Sequence, residues 1–306
     1  MYFECHVTCL SSLEKGQHLL KQRILTALVI GPAAILAIFY LPLDYFALFL
    51  LALVSIGAWE WGPFMGVTST IKRITFVATT MAFIAALWWF IPLSTLWSSH
   101  FVAHDTVISI LWLSVAWWSI SAILMLIYPK LTNFWSTSYT LRAVFGWLTL
   151  IPTWLAFVLI RSHDYNADPY QGAQLLMFLF LMVWSADIGA YFVGKSMGKN
   201  KLMPNVSPGK TLEGFFGGVV CACLLTGIAG YFLQFTQIQM VTALLVTMAI
   251  SVVSVLGDLT ESMFKREAGV KDSGAILPGH GGILDRIDSL TATAPIFALC
   301  YIMFGW

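Results

Sequence analysis

The sequence predicts an all-α, polytopic transmembrane helix bundle of about nine spans with its N-terminus in the cytoplasm. Three observations lead there: composition, the lengths of the apolar stretches, and the placement of basic residues. Of 306 residues, 59% are hydrophobic and only 10% are charged, and the mean hydropathy is +0.83. Soluble domains carry roughly 25% charged residues, so this chain lacks the polar surface that a water-soluble globule needs. A net charge of +1 provides no global field for a polyanion, which excludes nucleic acid as a partner and leaves anions to be bound locally. The five cysteines, Cys5, Cys9, Cys221, Cys223 and Cys300, form no paired CxxC or cysteine–histidine spacing, so neither a zinc site nor a disulfide framework is expected.

A hydrocarbon core about 30 Å thick takes about 20 apolar residues per helix. Stretches of that kind run near 24–41, 43–61, 74–92, 106–128, 143–160, 172–194, 212–234, 238–257 and 287–306. The short connections at Pro42 and between Gln234 and Ile238 imply antiparallel hairpins of neighbouring helices. With the N-terminus cytoplasmic, one side of the membrane receives Lys15, Lys21, Arg23, Lys72, Arg73, Lys130, Arg142, Lys195, Lys199, Lys201, Lys210, Lys265, Arg266, Lys271 and Arg286, and the other receives Arg161 alone. That asymmetry is a strong positive-inside signal, and it places Trp306 outside. Residues 1–20 are polar, lack an apolar run with a small-residue cleavage site, and are expected to be an extension rather than a cleaved signal. Residues 21–165 are expected to be a helical scaffold and 166–306 the catalytic region. Trp59, Trp61, Trp88, Trp89, Trp117 and Trp118 sit in or near predicted helix ends, where interfacial anchoring is the simplest expectation.

The chemistry is concentrated in the second half. The first five predicted helices hold almost no acid besides Glu60, whereas Asp187, Glu213, Asp258, Glu261, Glu267, Asp272, Asp285 and Asp288 gather around the last two basic loops. Asp187 and Asp258 fall inside or at the end of apolar helices, where an ionised carboxylate is costly unless it faces water or a cation. A first cluster, Gly194-Lys195-Ser196-Met197-Gly198-Lys199-Asn200-Lys201 followed by Ser207-Pro208-Gly209-Lys210-Thr211-Leu212-Glu213-Gly214, brings hydroxyls, ammonium groups and flexible amides to the mouth of a helix. Such a set suits phosphate, and it equally suits a capped helix start on the basic side. It is not a P-loop, because Pro204 stands where that pattern needs glycine and no strand is expected before the helix. In the second cluster Asp285 and Asp288 are three apart, share a helix face and can address one cation. Hard oxygen donors without a histidine- or cysteine-rich set favour magnesium. His280, isolated among glycines, is expected to be a hydrogen-bonding loop residue ahead of a ligand or base.

The span from Ser262 through Phe264, Lys265, Arg266, Lys271, Asp272, Gly274, Leu277, Pro278, His280, Gly281, Gly282, Ile283, Asp285, Arg286, Ile287 and Asp288 resembles the signature of the phosphatidate cytidylyltransferases, the CDP-diacylglycerol synthases, at every specified position. Asp187 to Lys195 and Ser207 to Gly214 are similar to that family's nucleotide-facing motifs, and the likeness in overall plan extends from about Leu20 to the end. The resemblance implies transfer of a cytidylyl group from CTP to phosphatidic acid, with release of pyrophosphate, by a multi-pass protein of the inner (cytoplasmic) membrane whose active site faces the cytoplasm. It further implies Mg2+, with a monovalent cation such as K+ beside it, held by Asp258 and Asp285 with Asp187 and Asp288 as further ligands or their support. Ser207, Lys210 and Thr211 would hold CTP phosphates. Lys265, Arg266, Lys271 and Arg286 would take the remaining phosphate charge, undivided between nucleotide and lipid. Glu213, Asp272, His280, Gly281 and Gly282 complete the substrate-binding set, and a homodimer is compatible with the plan. Two other classes remain open: another CTP-dependent membrane lipid enzyme, such as a polyprenol kinase, and a cation-coupled transporter. Neither repeat symmetry nor paired broken helices are present to favour the transporter.

Overall fold

The computed structural model describes residues 26, 28–91, 96 and 104–305. The expectations placed on residues 1–20, on the first basic residues and on Trp306 lie outside these. Helix α1 spans Leu28–Tyr40. It is followed by α2 (Leu43–Glu60), α3 (Thr70–Phe90), α4 (Asp105–Ile127), the single turn α5 (Asn133–Ser136), α6 (Tyr139–Arg161) and α7 (Gln171–Met197). A two-stranded antiparallel hairpin, β1 (Lys201–Met203) and β2 (Ser207–Thr211), leads into α8 (Leu212–Phe232), α9 (Gln237–Glu267) and α10 (Leu284–Phe304). Among the described residues eight helices are long and apolar enough to cross a bilayer, and α1 is a shorter apolar helix. The chain is therefore a polytopic all-α bundle.

Helix α6 is its axis, packed by α2, α3, α4, α7 and α10, and nearly every residue from Leu150 to Arg161 is buried. Away from water, polar side chains find partners across helices. Ser121 and Thr260 hydroxyls meet at 2.7 Å between α4 and α9, and Thr226 and Thr247 at 2.8 Å between α8 and α9. The Thr153 hydroxyl donates to the Thr291 carbonyl, joining α6 to α10. The exposed faces carry Phe216, Val220, Leu224 and Ile228 in a row along α8, as a lipid-facing helix should.

Three expectations need correction. Helix α9 does not stop near residue 257 but continues to Glu267. Hydropathy ends where the charges begin; the helix persists because Leu259, Met263 and Phe264 remain buried, and the one charge buried with them, Glu261, is paired with Lys265. A strand does precede α8, since β2 runs directly into it. Trp61, Trp117 and Trp118 are core residues, 3%, 1% and 2% exposed, rather than interfacial anchors. Trp61 donates its indole N–H to the Arg142 carbonyl and Trp117 to the Thr149 hydroxyl, which makes the burial of their polar edges affordable. Trp89, at 83% exposed, keeps the expected peripheral position.

The two ends of the bundle differ. At one end lie the C-termini of α2, α7 and α9, the N-termini of α3, α6, α8 and α10, and the β hairpin. Among the described residues every Lys and Arg but one belongs to this end. The exception is Arg161 at the opposite end, 1% exposed. Its guanidinium donates to the carbonyls of Ile38 at 2.7 Å, Pro169 at 2.8 Å and Leu41 at 3.3 Å, closing the breaks between α1 and α2 and before α7. It is a buried clamp rather than an exception to the charge asymmetry.

Candidate active site

A cleft of about 900 Å3 opens at the basic end, walled by α7, the hairpin, α8, α9 and α10. Its mouth is polar: Asp187, Lys195, Lys210, Thr211, Asp258, Lys265, Asp272, Asp285, Arg286 and Asp288 all line it. Its inner part is apolar, with Trp184, Phe215, Val219 and Val255. One space thus joins a charged headgroup region to a hydrophobic wall.

The hairpin supplies one side of the mouth, through Leu202, Gly209, Lys210 and Thr211. Glu213 in the first turn of α8 accepts from the Lys199 and Asn200 amides at 3.1 and 3.2 Å and from the Asn200 side chain at 2.8 Å, fixing the hairpin's base. The Arg266 Nε donates to the Val206 carbonyl at 3.2 Å, tying its tip to α9. Thr211 caps α8, accepting from the Gly214 amide at 3.1 Å. The positive end of the α8 dipole therefore faces the cleft with Lys210 beside it. Close packing of α7 on α8 makes the cleft narrow: a Cβ on Gly218 would stand 2.6 Å from the Ala186 carbonyl oxygen.

Across the mouth, the extension of α9 presents Asp258, Glu261, Ser262 and Lys265 at three- and four-residue spacing. Lys210 Nζ lies 2.5 Å from Asp258 Oδ2, and the Ser262 hydroxyl donates to Asp258 Oδ1 at 3.3 Å. Lys265 donates to Glu261 at 3.2 Å and to Asp285 Oδ1 at 2.8 Å, so a lysine is held between two acids. Asp285 Oδ2 accepts three more hydrogen bonds, from the Ser273 amide at 2.9 Å, the Ser273 hydroxyl at 3.0 Å and the Gly282 amide at 2.7 Å. Asp285 thereby organises the 273–284 loop while its Oδ1 accepts from Lys265, and both residues line the cleft.

Of the residues singled out from sequence, Ser207, Glu213, Arg266, Lys271, His280, Gly281 and Gly282 are not on the cleft wall. Glu213 and Arg266 act on the hairpin as described. Gly282 donates to Asp285, and Gly281, at φ +86°, makes the turn in which its carbonyl accepts from the Leu277 amide at 2.9 Å. The His280 amide donates to the Leu277 carbonyl at 2.9 Å; its Nδ1 is buried and has no hydrogen-bond partner among the described residues. Ser273, which no local motif marks, joins the site through Asp285, and Glu261 enters it through Lys265. Sequence reasoning assigned no role to Glu60, although a nearly solitary acid at the end of an apolar helix was a visible signal.

Among the described residues no three His, Cys, Asp or Glu side chains already form a metal cage. The donor set still fits magnesium, which keeps several waters and takes one or two carboxylates together with substrate phosphates. Asp187, Asp258 and Asp288 flank one open space and lie close enough to interact electrostatically. Asp285 adds an oxygen with a lone pair at its edge.

Comparison with known proteins gives a consistent answer. Residues 21–304 match the model of a family described as the cytidylyltransferase family. A phosphatidate cytidylyltransferase of Haemophilus influenzae is 42% identical over 287 residues, covering 92% of this chain and 99% of the relative. One of Pseudomonas aeruginosa is 41% identical over 288 residues, covering 94% and 99%. One of Bacillus subtilis is 42% identical over 190 residues, covering 60% and 67%.

Proposed function

Since the chain belongs to the cytidylyltransferase family, we propose that it transfers the cytidylyl group of CTP to phosphatidic acid, giving CDP-diacylglycerol and pyrophosphate. The observation that carries this reading is the single cleft in which anion-binding groups at the mouth continue into an apolar wall. A soluble nucleotide and a tailed phosphate both need that combination. A polyprenol kinase or a transporter has no comparable support.

An oxygen of the phosphatidate phosphomonoester attacks the α-phosphorus of CTP. The new P–O bond forms as the bond from that phosphorus to the α,β-bridging oxygen breaks, and pyrophosphate leaves with the electron pair. The attacking oxygen is already anionic, so positioning and charge neutralisation matter more than a strong base. Lys210 exchanges Asp258 for a CTP phosphate, next to the Gly214 end of α8 and the Thr211 cap. Lys265, fixed by Glu261 and Asp285, holds its ammonium at the facing wall, and Arg286 and Lys195 complete the positive rim. Trp184, Phe215 and Val219 take the first part of the acyl chains and exclude water from the lipid side. Magnesium would be held by Asp258 and Asp285, with Asp187 and Asp288 as further ligands or as acceptors for its waters. When bound, it supplies charge neutralisation on the phosphate oxygens. The cleft faces the cytoplasm, where CTP is, and the protein resides in the inner membrane.

The test is conversion of α-labelled CTP by the purified protein in detergent with phosphatidic acid or a polyprenol as acceptor. Label entering lipid with phosphatidic acid, with pyrophosphate released in equal amount and activity lost to a chelator and restored by magnesium, is expected. No lipid labelling with phosphatidic acid, or CTP-dependent phosphorylation of the polyprenol, overturns the reading.

A further inference from the structure

Glu60, the last residue of α2, is 2% exposed and belongs to none of the ion pairs among the described residues. A buried carboxylate without a basic partner is costly unless hydrogen-bond donors converge on it. Two backbone amides do. Its Oε1 accepts from the Ile283 amide at 3.1 Å and its Oε2 from the Leu284 amide at 2.9 Å, while the Ser273 hydroxyl, 3.3 Å from Oε2, shares its one proton between Glu60 and Asp285. Ile283 is the N-cap residue of α10 and offers no side-chain cap of its own. Glu60 therefore caps α10 from a different helix, placing a negative charge at the positive end of the α10 dipole.

The consequences reach the cleft through few atoms. Ser273 stands between two carboxylates, its hydroxyl within 3.3 Å of Glu60 and 3.0 Å of Asp285. Asp285 follows Leu284 directly in the chain and binds Lys265, and Arg286 is next. The loop is shaped around the Glu60 carboxylate: a Cβ on Gly282 would stand 2.5 Å from Glu60 Oε2, and one on Gly274 would collide with Oε1.

We propose that Glu60 is a positioning residue for the transfer reaction, a cap supplied by the scaffold that holds the 273–284 loop so that Asp285, Arg286 and Lys265 keep their places on the cleft wall. It touches no substrate. The inference rests on the proposed reaction, and it extends the support of the active site to α2, no residue of which lines the cleft.

The decisive variant is Glu60→Gln, in full-length protein in detergent. An amide nitrogen facing the Ile283 or Leu284 N–H replaces an acceptor by a donor, so the loop shifts while side-chain volume is kept. Displacement of positioned groups by about an ångström lowers turnover by roughly ten- to a hundredfold. We expect kcat to fall within that range while KM for phosphatidic acid stays within about twofold, and trypsin to cut after the exposed Lys271 faster than in the parent. The parent protein is assayed alongside: if it makes no CDP-diacylglycerol, the reaction reading fails, and the tryptic rate at Lys271 still reports on the loop. A folded Glu60→Gln protein with parental kcat, or with an unchanged rate of cleavage at Lys271, overturns the proposal. So does a loss of activity that matches a loss of folded protein with kcat per folded molecule intact. Should Glu60→Gln not fold, Glu60→Asp decides, since it keeps the charge but withdraws the carboxylate by one methylene from the Ile283 and Leu284 amides. The same fall in kcat supports the positioning role, and a parental kcat overturns it.

Discussion

Lys210 and Asp258 face each other at 2.5 Å, each partly exposed, so the pair is one that a phosphate can part at modest cost. Replacing Lys210 by Gln should remove the proposed charge-assisted phosphate contact, on the order of 1.5–3 kcal/mol, or roughly ten- to a hundredfold in kcat/KM for CTP. KM for phosphatidic acid should not move. Steady-state kinetics with each substrate varied in turn checks this, and an unchanged CTP constant would return Lys210 to a mere marker of the basic side. Asp285 behaves differently because it is structural as well as chemical. Asp285→Asn replaces an acceptor of four hydrogen bonds and strips Lys265 of a partner in a site where the aspartate side chain is 5% exposed. Turnover should be abolished, and breaking so buried a pair should cost on the order of 3 kcal/mol of stability. A thermal or denaturant transition in detergent measures the second effect, and near-parental turnover at saturating magnesium would remove Asp285 from the chemistry.

Short elements set the shape of the cleft. Helix α8 begins at Thr211 because that hydroxyl satisfies the Gly214 amide. Thr211→Ala should cost about 1 kcal/mol and weaken CTP binding together, whereas Thr211→Ser, which keeps the cap, should restore both. Equilibrium unfolding and the CTP KM of the two variants give the comparison. The α7–α8 contact depends on Gly218, opposite a backbone carbonyl that cannot turn aside. Gly218→Ala should destabilise by roughly 1–3 kcal/mol and prise open the wall proposed to receive phosphatidate, read as a raised KM for that substrate. The extension of α9 past residue 257 was written in the sequence as a run of charges, and charge is what hydropathy takes for a helix end. Only the burial of Leu259, Met263 and Phe264 against neighbouring helices shows that the helix goes on.

At the scale of the molecule, the bundle has one basic end carrying the cleft and one end where Arg161 is internal. By the positive-inside rule, that asymmetry supports the proposed placement of the cleft on the cytoplasmic side. Reporter fusions at Lys201 and at Trp306 should report opposite sides of the membrane, and both on the same side would contradict the proposed orientation. The Glu60 carboxylate caps α10 from α2, so the helices before residue 165 reach the loop that borders the cleft. They hold the loop that follows α9, so the site depends on the whole assembly rather than on α7 to α10 alone.

Local sequence determined a good deal: the apolar stretches that became eight long helices, the one-sided Lys and Arg, and the signature from Ser262 to Asp288. Each is a property of neighbouring residues, and solvation of apolar or charged side chains reads it directly. Asp187, Lys210, Asp258, Lys265 and Asp285, which stand out in the sequence, line one cleft. What each does to the others was decided by tertiary structure, because hydrogen-bond partners are chosen in space. Lys210 meets Asp258 across the cleft, Arg266 holds the hairpin tip, and Asp285 spends one oxygen on its own loop. Glu60 lies more than two hundred residues from Leu284, yet it satisfies amides that α10 cannot satisfy for itself. A buried backbone N–H needs an acceptor wherever the fold can bring one, and no local pattern specifies which residue that will be.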